Sequence, residues 1–140
     1  MKVDYVKLNN DAERLASRIS QIKSTKLRTI FADIKKLQMS IRLKVKPKSE
    51  DKQTRTSNEI DIDDLIKKTL VLFRARLHYN AARASKKEKK SWDELKSELD
   101  RRINNVLQNP ELFEAELADF MEALLAYHKE KSSREEETNE

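Results

Sequence analysis

The chain has 140 residues, no cysteine, no glycine and two prolines, Pro47 and Pro110. This length suits one domain with one hydrophobic core, and the missing cysteines exclude disulfides and thiolate metal sites. Tight hairpins favour glycine or asparagine at positive φ, so a sheet built without glycine is not expected. We therefore predict an all-α, single-domain bundle of about five helices with a long central helix.

Charge is distributed unevenly along the chain. The net charge of +5 divides into +7 over residues 1–45, +6 over 46–90 and −8 over 91–140. The basic two thirds indicate a surface that faces a polyanion; the alternative is that the basic and acidic parts pair inside the fold. No apolar run has the length of a secretory signal or a membrane span, so we expect a cytoplasmic protein.

Two helices are predicted before residue 46. Apolar residues at helical spacing predict the first over residues 11–22, with Asn10 or Asp11 as its cap. The second is predicted from Ser24 or Thr25 to about Val45. On the second helix Arg28, Lys35 and Arg42 lie seven residues apart and share one stripe. Such a stripe either contacts phosphates or is solvated surface.

The long central helix is predicted over residues 60–86, and it carries two faces. One is apolar, and on another Arg76, Tyr79 and Arg83 lie three and four residues apart, which places two guanidiniums around an aromatic ring. Tyr79 could stack on a base or a ribose, but a tyrosine on a helix beside Leu77 is more often partly core. The aspartates near the start of this helix are better explained by capping and the helix dipole than by a metal site; they are Asp61, Asp63 and Asp64.

Residues 46–59 contain no apolar side chain and are predicted to form a polar loop within a helical domain of residues 1–131. Residues 85–90 are predicted to form an exposed basic turn.

A fourth helix is predicted over residues 91–107, with Ser91 as its cap, Glu94 completing a capping box, and Trp92 in the core rather than stacked on a base. Pro110 is predicted to open a fifth helix, and residues 132–140 to form a disordered acidic tail.

The sequence carries no recognisable catalytic pattern. It has no glycine-rich phosphate loop, and His78 and His128 have no carboxylate three or four residues away. We therefore expect no enzymatic activity, no metal site and no cofactor.

Three segments together resemble a known family. They are TKLR at residues 25–28, LHYNAAR at 77–83 and FMEALLAYHK at 120–129. In this order and spacing they are similar to the small subunit of type III-A CRISPR interference complexes, the Csm complexes, over roughly residues 20–130. One departure is Ala82, which stands where the family commonly has glycine; if that glycine permits close approach of the backbone to RNA, the contact here is looser or different.

The resemblance implies a non-catalytic, all-helical subunit whose copies stack head to tail in a ribonucleoprotein filament. Its partners would be CRISPR RNA, target RNA, other subunits of the Csm complex and further copies of itself; monomer and dimer both stay open for the isolated chain. The motifs place Lys26, Arg28 and Arg83 against the RNA backbone. The stripe arguments add Lys35, Arg76 and Tyr79.

Three alternatives remain open from the sequence. The first is the corresponding small subunit of type III-B complexes. The second is a helical protein-interaction adaptor without RNA contact. The third is a DNA-binding regulator, for which a short turn between two helices is needed, and only the junction between residues 22 and 25 would supply one.

Overall fold

The computed structural model describes the backbone of residues 3–45 and 52–138 and the side chains of residues 3–43 and 62–131. Five α-helices follow one another, with two short segments of other helical type before the last. They are α1 (Tyr5–Arg18), α2 (Ser24–Val45), α3 (Lys52–Arg83), α4 (Lys86–Gln108), a 3₁₀ turn (Pro110–Leu112), a π-helical segment (Glu114–Asp119) and α5 (Phe120–Thr138). The described part contains no strand, and the predicted all-α bundle is confirmed.

Helix α1 begins six residues earlier than the sequence predicted. Its cap is Asp4, whose side chain accepts a hydrogen bond from the Lys7 amide at 3.1 Å, so the prediction of Asn10 or Asp11 was wrong. The earlier start adds Leu8 to the buried face. The last turn is completed from outside the helix, because the buried Ser91 hydroxyl of α4 donates to the Arg18 carbonyl oxygen at 3.1 Å.

Helix α3 also begins earlier than predicted. It starts at Lys52 rather than near residue 60, so helix occupies most of the range predicted as a polar loop. Residues 52–59 contain neither glycine nor proline, and nothing in their covalent geometry interrupts a helix. The other part of that loop, residues 46–51, lies outside the described residues.

Helix α4 is capped by Ser85, six residues before the predicted cap. The Ser85 hydroxyl accepts a hydrogen bond from the Glu88 amide at 3.4 Å, which is the bond of a side-chain N-cap, and it also donates to the Glu88 carboxylate. The predicted box at Ser91 and Glu94 was therefore wrong, and residues 85–90 begin a helix rather than forming a separate turn. Trp92 is buried, in agreement with its predicted place in the core.

The fifth helical region opens on Pro110, as predicted, but it becomes α-helical only at Phe120. Within the π-helical segment, Glu114 accepts hydrogen bonds from Gln38 at 2.7 Å and Arg42 at 3.2 Å. Asp119 accepts one from the Tyr5 hydroxyl at 3.1 Å, and burial raises the pKa of the Asp119 carboxyl. Helix α5 then runs to Thr138, so its backbone continues through most of the range predicted as a disordered tail.

The core lies where the apolar faces of the helices meet. Helix α1 packs chiefly on α5, and α3 packs on both α2 and α4. Asn9 of α1 donates to the Tyr127 hydroxyl of α5 at 2.6 Å, and the rings of Phe31 and Phe73 lie 6.4 Å apart across α2 and α3. No helix in the described part of the chain is long and apolar enough to cross a membrane.

One arginine lies inside this core. The Arg102 side chain of α4 is only 4% exposed, and its guanidinium contacts three carboxylates from three parts of the fold. These are Glu116 at 2.9 Å, Glu98 at 3.1 Å and Asp11 at 3.4 Å. The guanidinium carbon also lies 3.7 Å from the centroid of the Phe120 ring. Arg102 therefore joins α1, α4, the π-helical segment and α5.

Candidate nucleic-acid interface

A groove of about 560 Å³ opens where the start of α2, the end of α3 and the start of α4 meet. We call it the basic groove, because three cations and one carboxylate line it. Its polar lining is Thr25, Lys26, Thr29, Arg76, Tyr79, Asn80, Arg83, Ser85 and Glu88. The short connection between α3 and α4, residues 84 and 85, holds these helix ends together.

Four of the six residues predicted to bind RNA meet in the basic groove. Lys26 comes from α2, and Arg76, Tyr79 and Arg83 come from one face of α3. The stripe predicted on α3 thus lies along one wall of a groove and has a lysine of another helix opposite it. The structure leaves RNA contact by these residues as a prediction.

The other two predicted residues, Arg28 and Lys35, lie elsewhere. They line a second groove of about 700 Å³ between α2 and α5. Residues two apart in a helix point about 200° away from each other, so Lys26 and Arg28 cannot face the same groove. The sequence motif at residues 25–28 therefore supplies two separate surfaces.

Tyr79 is 59% exposed, which removes the alternative that it is part of the core. The Arg83 Nη1 atom donates to the Tyr79 hydroxyl at 2.8 Å, and the Arg83 guanidinium carbon lies 5.4 Å from the ring centroid. This contact, four residues apart on α3, holds both side chains at the mouth of the basic groove. An open aromatic ring beside a guanidinium can stack on a base or a ribose.

Two cations of the groove already have carboxylate partners within the chain. Lys26 Nζ lies 3.3 Å from Glu88 Oε2, and Arg76 forms an ion pair with Asp33. Glu88 is only 13% exposed whereas Lys26 is 52% exposed, so the carboxylate is the fixed partner. Sequence reasoning missed Glu88, although its position three residues after Ser85 is the spacing of a capping box.

Ionisable residues outside the grooves are joined by tertiary contacts. His78 Nε2 lies 2.8 Å from Asp100 Oδ2 of α4, a partner that helical spacing in the sequence could not indicate.

Because α3 begins at Lys52, Asp63 and Asp64 lie about three turns inside it, so the helix-dipole explanation of these aspartates was wrong. The side chain of Asp61 is outside the described residues. Within residues 3–43 and 62–131 no three His, Asp or Glu side chains are grouped to hold a metal ion.

The family model described as Csm2 Type III-A matches residues 2–134. The chain belongs to the Csm2 family. The family resemblance read from the three sequence motifs is therefore confirmed. No curated protein and no solved structure matches the chain.

Membership of the Csm2 family gives the protein its broad role. Csm2 proteins are structural, non-catalytic small subunits of the type III-A Csm complex, so the other subunits of that complex are the partners of this chain. At the departure from the family pattern, Ala82 is an exposed residue of regular α3, and no described residue has a positive φ. Alanine is therefore compatible with the backbone at this position.

Proposed function

We propose that the basic groove contacts the sugar–phosphate backbone of the duplex between guide RNA and target RNA in the Csm complex. One observation carries this proposal: Lys26, Arg76 and Arg83, from two helices far apart in sequence, converge with the exposed Tyr79 on one open groove. Convergence of this kind is not needed for solvated surface charge.

The chemistry of the groove suits a contact that must accept any guide sequence. Phosphates and sugars are the same in every RNA, so a protein in a guide-dependent complex should contact them rather than base edges. Arginine forks match two phosphate oxygens at once, and the hydroxyls of Thr25 and Ser85 can donate to phosphate or ribose oxygens. Among the described residues, Glu88 is the carboxylate that lines the groove, and Asp33 pairs with Arg76 from outside this lining.

A single groove has room for only a few phosphate contacts, so one copy would bind RNA weakly and with steep salt dependence. We propose that copies stack head to tail in a filament, where each bound groove raises the effective concentration of the next. The uneven charge of the chain supports this arrangement, because an acidic surface of one copy can meet a basic surface of the next.

A protein-interaction adaptor without RNA contact is the second candidate. It is favoured by the two intrachain ion pairs, since Lys26 and Arg76 are partly neutralised before any partner arrives. RNA phosphates must compete with Glu88 and Asp33 for these cations. The adaptor would leave both ion pairs intact and would bind its partner through another surface.

The decisive experiment replaces Arg76 and Arg83 together by alanine in the assembled Csm complex. We expect target-RNA affinity to fall about 10- to 100-fold at roughly 0.15 M salt, and the slope of log affinity against log salt to decrease by about one to two, because each lost phosphate contact releases about one counterion fewer.

The matched control replaces Arg14 and Arg18 of α1 by alanine. These two arginines are as exposed as Arg76 but lie on another helix, and their loss changes the net charge by the same amount. The control should leave the affinity and the salt slope nearly unchanged. Equal losses in both double variants, or no loss in either, would reject the basic groove and favour the adaptor.

A further inference from the structure

The second groove, between α2 and α5, differs from the basic groove in its floor. We call it the apolar groove, because its floor is made of Phe31, Ile34, Met121 and Leu125. Its rim carries cations, namely Arg28, Lys35, Lys36 and Lys129, and a single carboxylate, Glu122. An apolar floor with a basic rim is a surface for a partner that is apolar in the centre and acidic at its edges.

We propose that the apolar groove docks an amphipathic helix of another protein, whose apolar side chains are flanked by carboxylates. This inference goes beyond RNA contact in the basic groove and does not depend on it. The two surfaces lie on opposite sides of α2, so both can be occupied at once.

The cations of the rim are available to a partner. Within the described part of the chain, neither Arg28 nor Lys35 takes part in an ion pair or a side-chain hydrogen bond. In the basic groove, by contrast, Lys26 and Arg76 are already paired with carboxylates of the same chain. Charges that are unpaired at a groove rim steer a complementary partner and fix its register.

The dimensions fit a helix. The lining runs from Arg28 to Gln38 on α2, and from Ala118 in the π-helical segment to Lys129 on α5, which corresponds to a length of roughly 15 Å. A docked helix with apolar anchors at positions i, i+4 and i+7 spans about 10 Å. Met39, one turn beyond Lys35, is 62% exposed, and its flexible thioether can extend the apolar contact.

RNA is a poorer occupant of this groove. A sugar–phosphate backbone gains nothing from an apolar floor. Phe31 cannot serve as a stacking platform for a base, because it is buried and packs on Phe73. The two predicted RNA contacts on this side, Arg28 and Lys35, are therefore reassigned by this proposal to a protein partner.

The acidic end of this chain is also a poor occupant. Residues 131–140 include four glutamates but no apolar residue, so they cannot fill the floor even when supplied by a second copy. We therefore propose that the partner helix with both features belongs to another protein of the complex.

The test places a photoreactive benzoylphenylalanine at Ala32 or at Ala126, two exposed residues that line opposite walls of the apolar groove. The same residue at Ala75, an exposed alanine of α3 outside both grooves, is the control. Each variant is assembled into the complete Csm complex and irradiated, and the crosslinked peptides are identified by mass spectrometry.

We expect Ala32 and Ala126, but not Ala75, to crosslink to one helical segment of another subunit that carries carboxylates beside apolar residues. Adding Arg28→Glu and Lys35→Glu should reduce the crosslink yield by about tenfold, because two attractions at the rim become repulsions. Three results would overturn the proposal: crosslinks to RNA, crosslinks to a second copy of this chain, or no crosslink from either wall. RNA affinity of the Arg76 and Arg83 variant tests the basic groove separately.

Discussion

Arginine has two different roles in this molecule. Arg102 is buried and holds helices together, whereas the arginines of the basic groove are exposed to solvent. Arg102 is held by three carboxylates and an aromatic ring inside the fold, whereas 65% of the Arg76 side chain is exposed and it pairs with a single carboxylate, Asp33. A buried guanidinium with complete pairing fixes the packing of the helices around it. An exposed one contributes little to stability and is available to an anionic partner.

The largest expected effect on stability comes from removing the buried arginine. Replacing Arg102 by alanine leaves the carboxylates of Glu98, Glu116 and Asp11 without their common cation, each of them only about a fifth exposed. We expect the free energy of unfolding to fall by about 3–5 kcal/mol, measured as a lower midpoint in urea unfolding.

Arg101, the preceding residue in the chain, supplies the control for that experiment. It is exposed and pairs only with Glu98, at 2.6 Å, so Arg101→Ala should change the free energy of unfolding by no more than about 1 kcal/mol. Similar midpoints for the two variants would show that burial of the guanidinium does not govern its contribution.

An intermediate effect, on RNA affinity, is expected from removing the carboxylate charge of the basic groove. Glu88→Gln keeps the size of the side chain beside the Ser85 cap but removes the charge that neutralises Lys26. We expect target RNA to bind the assembled complex about three- to tenfold more tightly, a change of roughly 1 kcal/mol, measured by filter binding at fixed salt. Glu94→Gln on the same helix changes the charge equally but lies outside the basic groove, and it should have little effect.

The smallest expected effect, on thermal stability, concerns Asp119, whose ionised form is disfavoured by burial. Burial raises the pKa of Asp119 in the folded protein, so the folded state holds the proton more tightly than the unfolded chain. The stability that this gives is present in full below the unfolded-state pKa, and it is lost as the pH rises through the folded-state pKa. Asp119→Asn should therefore raise the thermal midpoint slightly at pH 7, and the difference should vanish toward pH 3. An increase that grew on acidification would contradict this sign.

The periodic apolar residues were sufficient to predict the helices, because burial of one face decides where a helix packs. Residues such as Leu70, Phe73 and Leu77 are buried where their spacing placed them. The helix ends were predicted less well. Ser85 and Ser91 both precede a glutamate by three residues, and only packing decides that Ser91 turns inward to the Arg18 carbonyl.

The part of the basic groove that lies on one helix could be predicted from the sequence, and the part supplied by another helix could not. Spacing along one helix identified Arg76, Tyr79 and Arg83 as a stripe, but no local pattern shows that Lys26 joins them while Arg28 faces α5. Arg102 did carry a signal, since it lies three residues after Leu99 and four before Val106 on the apolar face of α4. Adjacent arginines in sequence can therefore be told apart by helical phase.

The pairing of α1 with α5 has a consequence for the order in which the protein can form during its synthesis. The first helix packs chiefly on the last, Asn9 donates to Tyr127, and the final turn of α1 is completed by Ser91. At about 5–20 residues per second, α1 leaves the ribosome several seconds before these partners exist. An isolated helix of 14 residues is marginal in water, so α1 should stay unstructured until α5 has been synthesised. Stable folding of the bundle is then expected only after its last helix is available.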